Sequence, residues 1–168
     1  MNIEKAISRY FGLKESKDWL KHANPYSVFT RIIVLPLFVI SIWSRVWIGW
    51  YSLIPLFLLI VWTFVNPRFF PEVKEVRSWW SKCVIGEYLW TNRDKFSIPV
   101  HHYSMINILT FLQGVSGIVL AIGLCKFDLF LTILGTISIY FSKMWFLDRM
   151  VWIYEDLKGY IEKWLKAG

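Results

Sequence analysis

Charged residues divide the chain into apolar runs of two lengths. Val46 to Pro67 holds 22 consecutive uncharged residues and Tyr103 to Cys125 holds 23. A helix rises about 1.5 Å per residue and needs about 20 residues to cross roughly 30 Å of hydrocarbon, so both runs are long enough to span a bilayer. Ile32 to Ser44 holds only 13 and Leu129 to Ser142 only 14. These fall short alone, but Arg31, Arg45 and Lys143 at the run ends can bury their stems and lift their charged heads to the interface. The pair Asn24-Pro25 offers a capping side chain and a first-turn proline, which starts the first helix earlier. If the short runs were re-entrant, the basic N-terminal and middle segments would face opposite compartments, against the positive-inside rule.

The pattern therefore predicts an all-α, polytopic membrane helical bundle: four transmembrane helices as two hairpins plus interfacial amphipathic helices, in a single membrane domain over 1–168. The spans fall at 25–45, 46–66, 103–125 and 128–147. An amphipathic arm over 1–24 carries Ile3, Ala6, Ile7, Tyr10 and Phe11 on one face. A tail over 148–168 does the same with Ile153, Leu157, Tyr160, Ile161, Trp164 and Leu165. The segment 67–102 is expected at the inner interface. There Val73, Val76, Trp80, Cys83, Val84 and Glu87 share a helical stripe and predict a helix from about Pro71 to Trp90.

Within the spans, Pro36 and Pro55 are equidistant from a turn at Arg45 and Val46, and Trp43, Trp47 and Trp50 suit the headgroup belt around it. Asn107, Thr110, Gly114, Gly117 and Ala121 recur at three and four residues. Gly135, Ser138 and Ser142 repeat that spacing on the fourth span. Lipid provides no hydrophobic drive for helices to associate, so these small and polar faces are expected to meet.

Composition narrows the class. The chain is 56% hydrophobic, 19% aromatic and 18% charged, below the roughly 25% charge of soluble domains. A soluble enzyme and a disordered chain are both excluded on these numbers. Of the nineteen Lys and Arg, all but Arg45 and Lys126 lie in or beside the arm (Lys5 to Arg31), the middle segment (Arg68 to Lys95) or the tail (Lys143 to Lys166). That asymmetry places both termini in the cytoplasm and suits a multi-pass protein of the inner (plasma) membrane. No cleaved leader is expected in the charge-punctuated first 25 residues. Cys83 and Cys125 fall on opposite sides, so no disulfide joins them. The net charge of +7, with Arg68, Lys74, Arg77, Lys82 and Arg93 in the middle segment, favours anionic lipid headgroups as partners at about 1 kcal/mol per well-placed cation. No nucleic-acid motif accompanies it.

Candidate chemistry is sparse. His101-His102 could join Glu87, Asp94, Cys83 and His22 at a metal, but neighbouring side chains on a helix diverge by about 100° and no zinc spacing is present. No metal site and no cofactor are expected. Arg68, Glu87, Arg93 and one of His101 and His102 would suit an interfacial enzyme acting on a phospholipid or polyprenyl-phosphate headgroup if they converged. Asn107 and Gln113 would line a small transporter's path. Without a glycine-rich phosphate loop or a nucleophile elbow, the residues favour a lipid-embedded structural or interaction protein, whose small-residue faces would allow a homo-oligomer.

Asn24-Pro25-Tyr26-Ser27-Val28, Leu35-Pro36-Leu37, Trp43-Ser44-Arg45, Trp47-Ile48-Gly49-Trp50, Asn66-Pro67-Arg68 and His101-His102 form an ordered set. Over about residues 22–102 the chain resembles a family of small, uncharacterised prokaryotic integral membrane proteins, a domain of unknown function. The resemblance implies a bacterial inner-membrane protein and carries over no catalytic residues.

Overall fold

The computed structural model describes Ser8, Leu13 and residues 16–161. The arm residues Ile3, Ala6, Ile7, Tyr10 and Phe11, and Trp164 and Leu165 of the tail, lie outside that set. All regular structure among the described residues is helical: α1 (Ser16–His22), α2 (Pro25–Trp43), α3 (Arg45–Ile48), a 3-10 turn (Gly49–Ser52), α4 (Leu53–Phe69), α5 (Trp79–Thr91), α6 (His101–Lys126) and α7 (Leu129–Asp156). Three helical stretches are long and apolar enough to cross a membrane: Pro25–Asn66, His101–Lys126 and Leu129–Asp156.

The first stretch is 42 residues long and is broken after Trp43. Gly49 adopts φ +58°, a left-handed value that a side chain would resist, and the chain reverses there. The reversal lies past Arg45, so the two prolines are not equivalent. Pro36 sits inside α2, whereas Pro55 falls in the first turn of α4, where its missing N–H removes no helical bond. Asn24 caps α2 by accepting from Tyr26 N at 3.0 Å. At the far end of α4, Asn66 is fully buried. It accepts from Ser27 Oγ at 2.7 Å and donates through Nδ2 to Thr30 Oγ1 at 2.7 Å, so α2 and α4 run antiparallel. Asn66→Leu removes both bonds and strands Ser27. A loss of about 1 kcal/mol in detergent-solubilised thermal unfolding is the expected outcome.

Helices α6 and α7 pack along most of their lengths. The chain turns between them at Phe127, whose φ is +50°, and Asp128 caps α7 by accepting from Leu131 N at 2.9 Å. Their backbones approach closely at two glycines. A Cβ on Gly135 would lie 2.5 Å from Leu120 N, and one on Gly123 2.5 Å from Thr132 N. The buried row on α6 is His102, Ile106, Leu109, Ser116, Leu120 and Gly123. The face expected to meet α7 is different: Asn107, Thr110, Gly114 and Ala121 are exposed, and Gly117 is half-buried with open space where a Cβ would be. On α7, Gly135 and Ser142 are buried and Ser138 is half-buried. Larger apolar side chains, with one glycine at the turn end, decide which face of α6 packs.

The middle helix also departs from its expectation. The chain after α4 is extended at Phe70 and irregular to Ser78. Ser78 caps α5 by accepting from Ser81 N at 3.1 Å, so the helix starts at Trp79 rather than near Pro71. Its Cys83, Val84, Ile85, Leu89 and Trp90 are buried in one cluster with Trp19 and Ala23 near α1, Ile106 and Leu109 of α6, and Phe146, Met150 and Ile153 of α7. Trp19 meets Tyr88 edge-on at 5.5 Å. This cluster fixes α1 and α5 against the ends of the long helices, and the site is built on it.

Candidate functional site

A cavity of about 470 Å³ lies among α1, α2, α4, α5 and α7. Most of its wall is apolar, including Trp19, Ile32, Leu35, Trp90, Met144 and Leu147. Four residues give it chemistry: His22 at the end of α1, Arg31 in the second turn of α2, Glu87 on α5 and Lys143 on α7. Each comes from a different helix, so the arrangement exists only once all four are packed.

Arg31 is held tightly. Its Nε donates to Ser27 O at 3.2 Å, Nη2 donates to His22 O at 3.1 Å, and Nη1 contacts the His22 ring. A guanidinium can only donate, so the ring accepts and is neutral. Burial holds His22 well below the usual histidine range, and the positive charges of Arg31 and Lys143 push it the same way. Across the cavity Lys143 Nζ lies 3.6 Å from a Glu87 oxygen. Tyr140 OH donates to Ile32 O, one of few ties between α2 and α7. Behind Glu87, Cys83 is fully buried. Its thiol is pushed up to about 12 chiefly by burial and then by the Glu87 carboxylate, which makes it unreactive near neutral pH.

The candidates named from sequence disperse. Glu87 is in the cavity, but Arg93 is not. It stacks on the Trp90 ring at 4.6 Å and donates to Trp90 O at 2.9 Å. Arg68 and Lys74 are exposed, Arg77 pairs with Glu75 at 2.6 Å, and Lys82 pairs with Glu155 at 2.5 Å. His101 and His102 gather at Asp156 on α7, away from the cavity wall. The Arg68, Glu87, Arg93 and histidine group therefore does not share a point. Nor do Asn107 and Gln113 line a common path: Asn107 is exposed and Gln113 has a buried Nε2 without a partner among the described residues.

Sequence reasoning gave Arg31 and Lys143 the role of run-end anchors and missed their meeting. A signal was present. Ionisable residues inside or at the edge of an apolar span usually face the bundle interior and mark a site, and each of these lies within a predicted span.

No curated protein and no solved structure matches this chain. The family of unknown function DUF6653 matches residues 2–163, and the chain, carrying His22, Arg31, Glu87 and Lys143 within that range, belongs to that family.

Proposed function

We propose that the chain is a four-span protein of the inner membrane, built of two helical hairpins with both termini in the cytoplasm, that holds an anionic amphiphile between the hairpins. The observation that carries this reading is the mismatch inside the cavity. Two cations, Arg31 and Lys143, face one carboxylate, Glu87, among its described lining residues, and the remaining wall is mostly apolar. An apolar tail would cover the wall between α2 and α7, and an anionic head would complete the charge near Lys143, where it is strengthened by low polarity. The distribution of Lys and Arg along the chain supports the sidedness, and the exposed cations Arg68 and Lys74 suit an anionic leaflet. Binding rather than catalysis is favoured, because Cys83 is inert and no activated nucleophile lines the cavity among the described residues.

The test is titration of delipidated, detergent-solubilised protein with a fluorescent acyl probe carrying a phosphate, carboxylate or phosphocholine head. Both anionic probes are expected to bind more tightly than the zwitterionic one. Lys143→Gln should weaken them by about tenfold, the equivalent of about 1.4 kcal/mol, and Glu87→Gln should tighten them by freeing Lys143. Equal affinity for all three heads, or no response to either substitution, would refute the reading.

A further inference from the structure

His101 and His102 open α6, where the bonds from His102 N to Pro99 O (3.2 Å) and from Tyr103 N to Val100 O (3.1 Å) run over three residues. A turn of this kind sets successive side chains about 120° apart around the axis, yet the two imidazoles lie together with ring centroids 4.1 Å apart and planes tilted by 39°. Both Nε2 atoms point at one oxygen of Asp156, the last residue of α7. His102 lies 2.8 Å from Oδ2 and His101 3.7 Å from it. One ligand atom from each of the three residues lies within 4.8 Å of the others. Only the shorter contact is a hydrogen bond, so the His101 ring is held beside the carboxylate without one.

We propose that His101, His102 and Asp156 form a binding site for a divalent first-row transition ion of the zinc type. Two imidazole nitrogens and a carboxylate oxygen are the donor set such ions take. Bonds of about 2.0–2.1 Å in a tetrahedral site put donors about 3.3 Å apart. The 2.8 Å contact must open and the 3.7 Å contact close, each by about half an ångström, within reach of side-chain rotation because His101 is 68% exposed and Asp156 36%. His102, 2% exposed, is the rigid ligand, and the exposed His101 side leaves a position for water. His102 Nδ1 has no partner among the described residues. The site thus lacks the outer hydrogen bond that strengthens histidine ligands by about 10–100-fold, and affinity on the order of micromolar is expected. A bound ion would join the first residue of α6 to the last of α7, clamping the pair at the end opposite its turn.

The experiment uses the full chain in detergent without a polyhistidine tag, stripped with EDTA and titrated calorimetrically with Zn²⁺ and spectroscopically with Co²⁺. One ion per chain is expected, with a rise in Tm on adding Zn²⁺. His101→Ala and Asp156→Asn, both at exposed positions, should each weaken binding at least tenfold and abolish the Tm rise, while Lys143→Gln leaves it intact. Absence of binding at millimolar Zn²⁺, or equal binding by the wild type and both variants, would overturn the site and leave the amphiphile cavity untouched.

Discussion

Gly86→Ala is expected to unseat α5 from α7 and leave little folded protein. A Cβ at Gly86 would stand 1.9 Å from Met150 O, 2.5 Å from its carbonyl carbon and 3.0 Å from its Cα. All three atoms are backbone in the interior of a 28-residue helix and cannot swing aside as a side-chain tip would. Overpacking of this kind costs about 1–3 kcal/mol and more where the backbone itself must move, which outweighs the gain of about 0.5–1 kcal/mol from replacing a helical glycine with alanine. Gly114→Ala and Gly117→Ala supply the contrast, since nothing lies within 4 Å of a Cβ at either position. They should be neutral or slightly stabilising. Thermal unfolding and monodispersity in detergent separate these outcomes, and a Gly86→Ala variant as stable as wild type would mean that α5 does not rest on Met150.

Mild acid is expected to loosen the same region through His22. The ring is buried and its folded-state pKa is depressed, first by burial and then by Arg31 and Lys143. The unfolded chain therefore binds the proton more readily than the folded one. Stability is then full above the unfolded value of about 6.5 and falls as pH drops below it, until the folded-state pKa is reached. The slope approaches about 1.4 kcal/mol per pH unit. Protonation would also turn the ring from an acceptor for Arg31 into a second cation beside it. Comparing Tm at pH 7, 6 and 5 should show the decline in wild type and a flatter profile in His22→Gln. Parallel profiles would show that His22 carries no such linkage.

The helical class was readable because it depends on local pattern. Long uncharged runs and Asn24 ahead of Pro25 announce helices, and the structure starts α2 at Pro25. The start of α5 was not readable in the same way, because a stripe of apolar residues continues through Val73 and Val76 while Ser78 supplies the cap that begins the helix. The packing face of α6 was also obscure. Spacing of three and four occurs on more than one face of a 26-residue helix. Small residues mark a contact only where another backbone arrives, as at Gly123 and Gly135 but not at Gly114 and Gly117.

The residue string alone was sufficient for an all-helical chain with stretches able to cross a membrane, since the demand of hydrocarbon for uncharged, internally bonded backbone acts on consecutive residues. Which polar groups share a space was settled by three-dimensional packing. Glu87 and Lys143 are 56 positions apart, and His22 and Arg31 stand on separate helices. The two adjacent histidines, which helical geometry by itself would spread apart, gather at Asp156, 54 positions downstream. Charge and hydrogen bonding act over a few ångströms of space regardless of distance along the chain, so these meetings exist only when α1, α2, α5, α6 and α7 are in place.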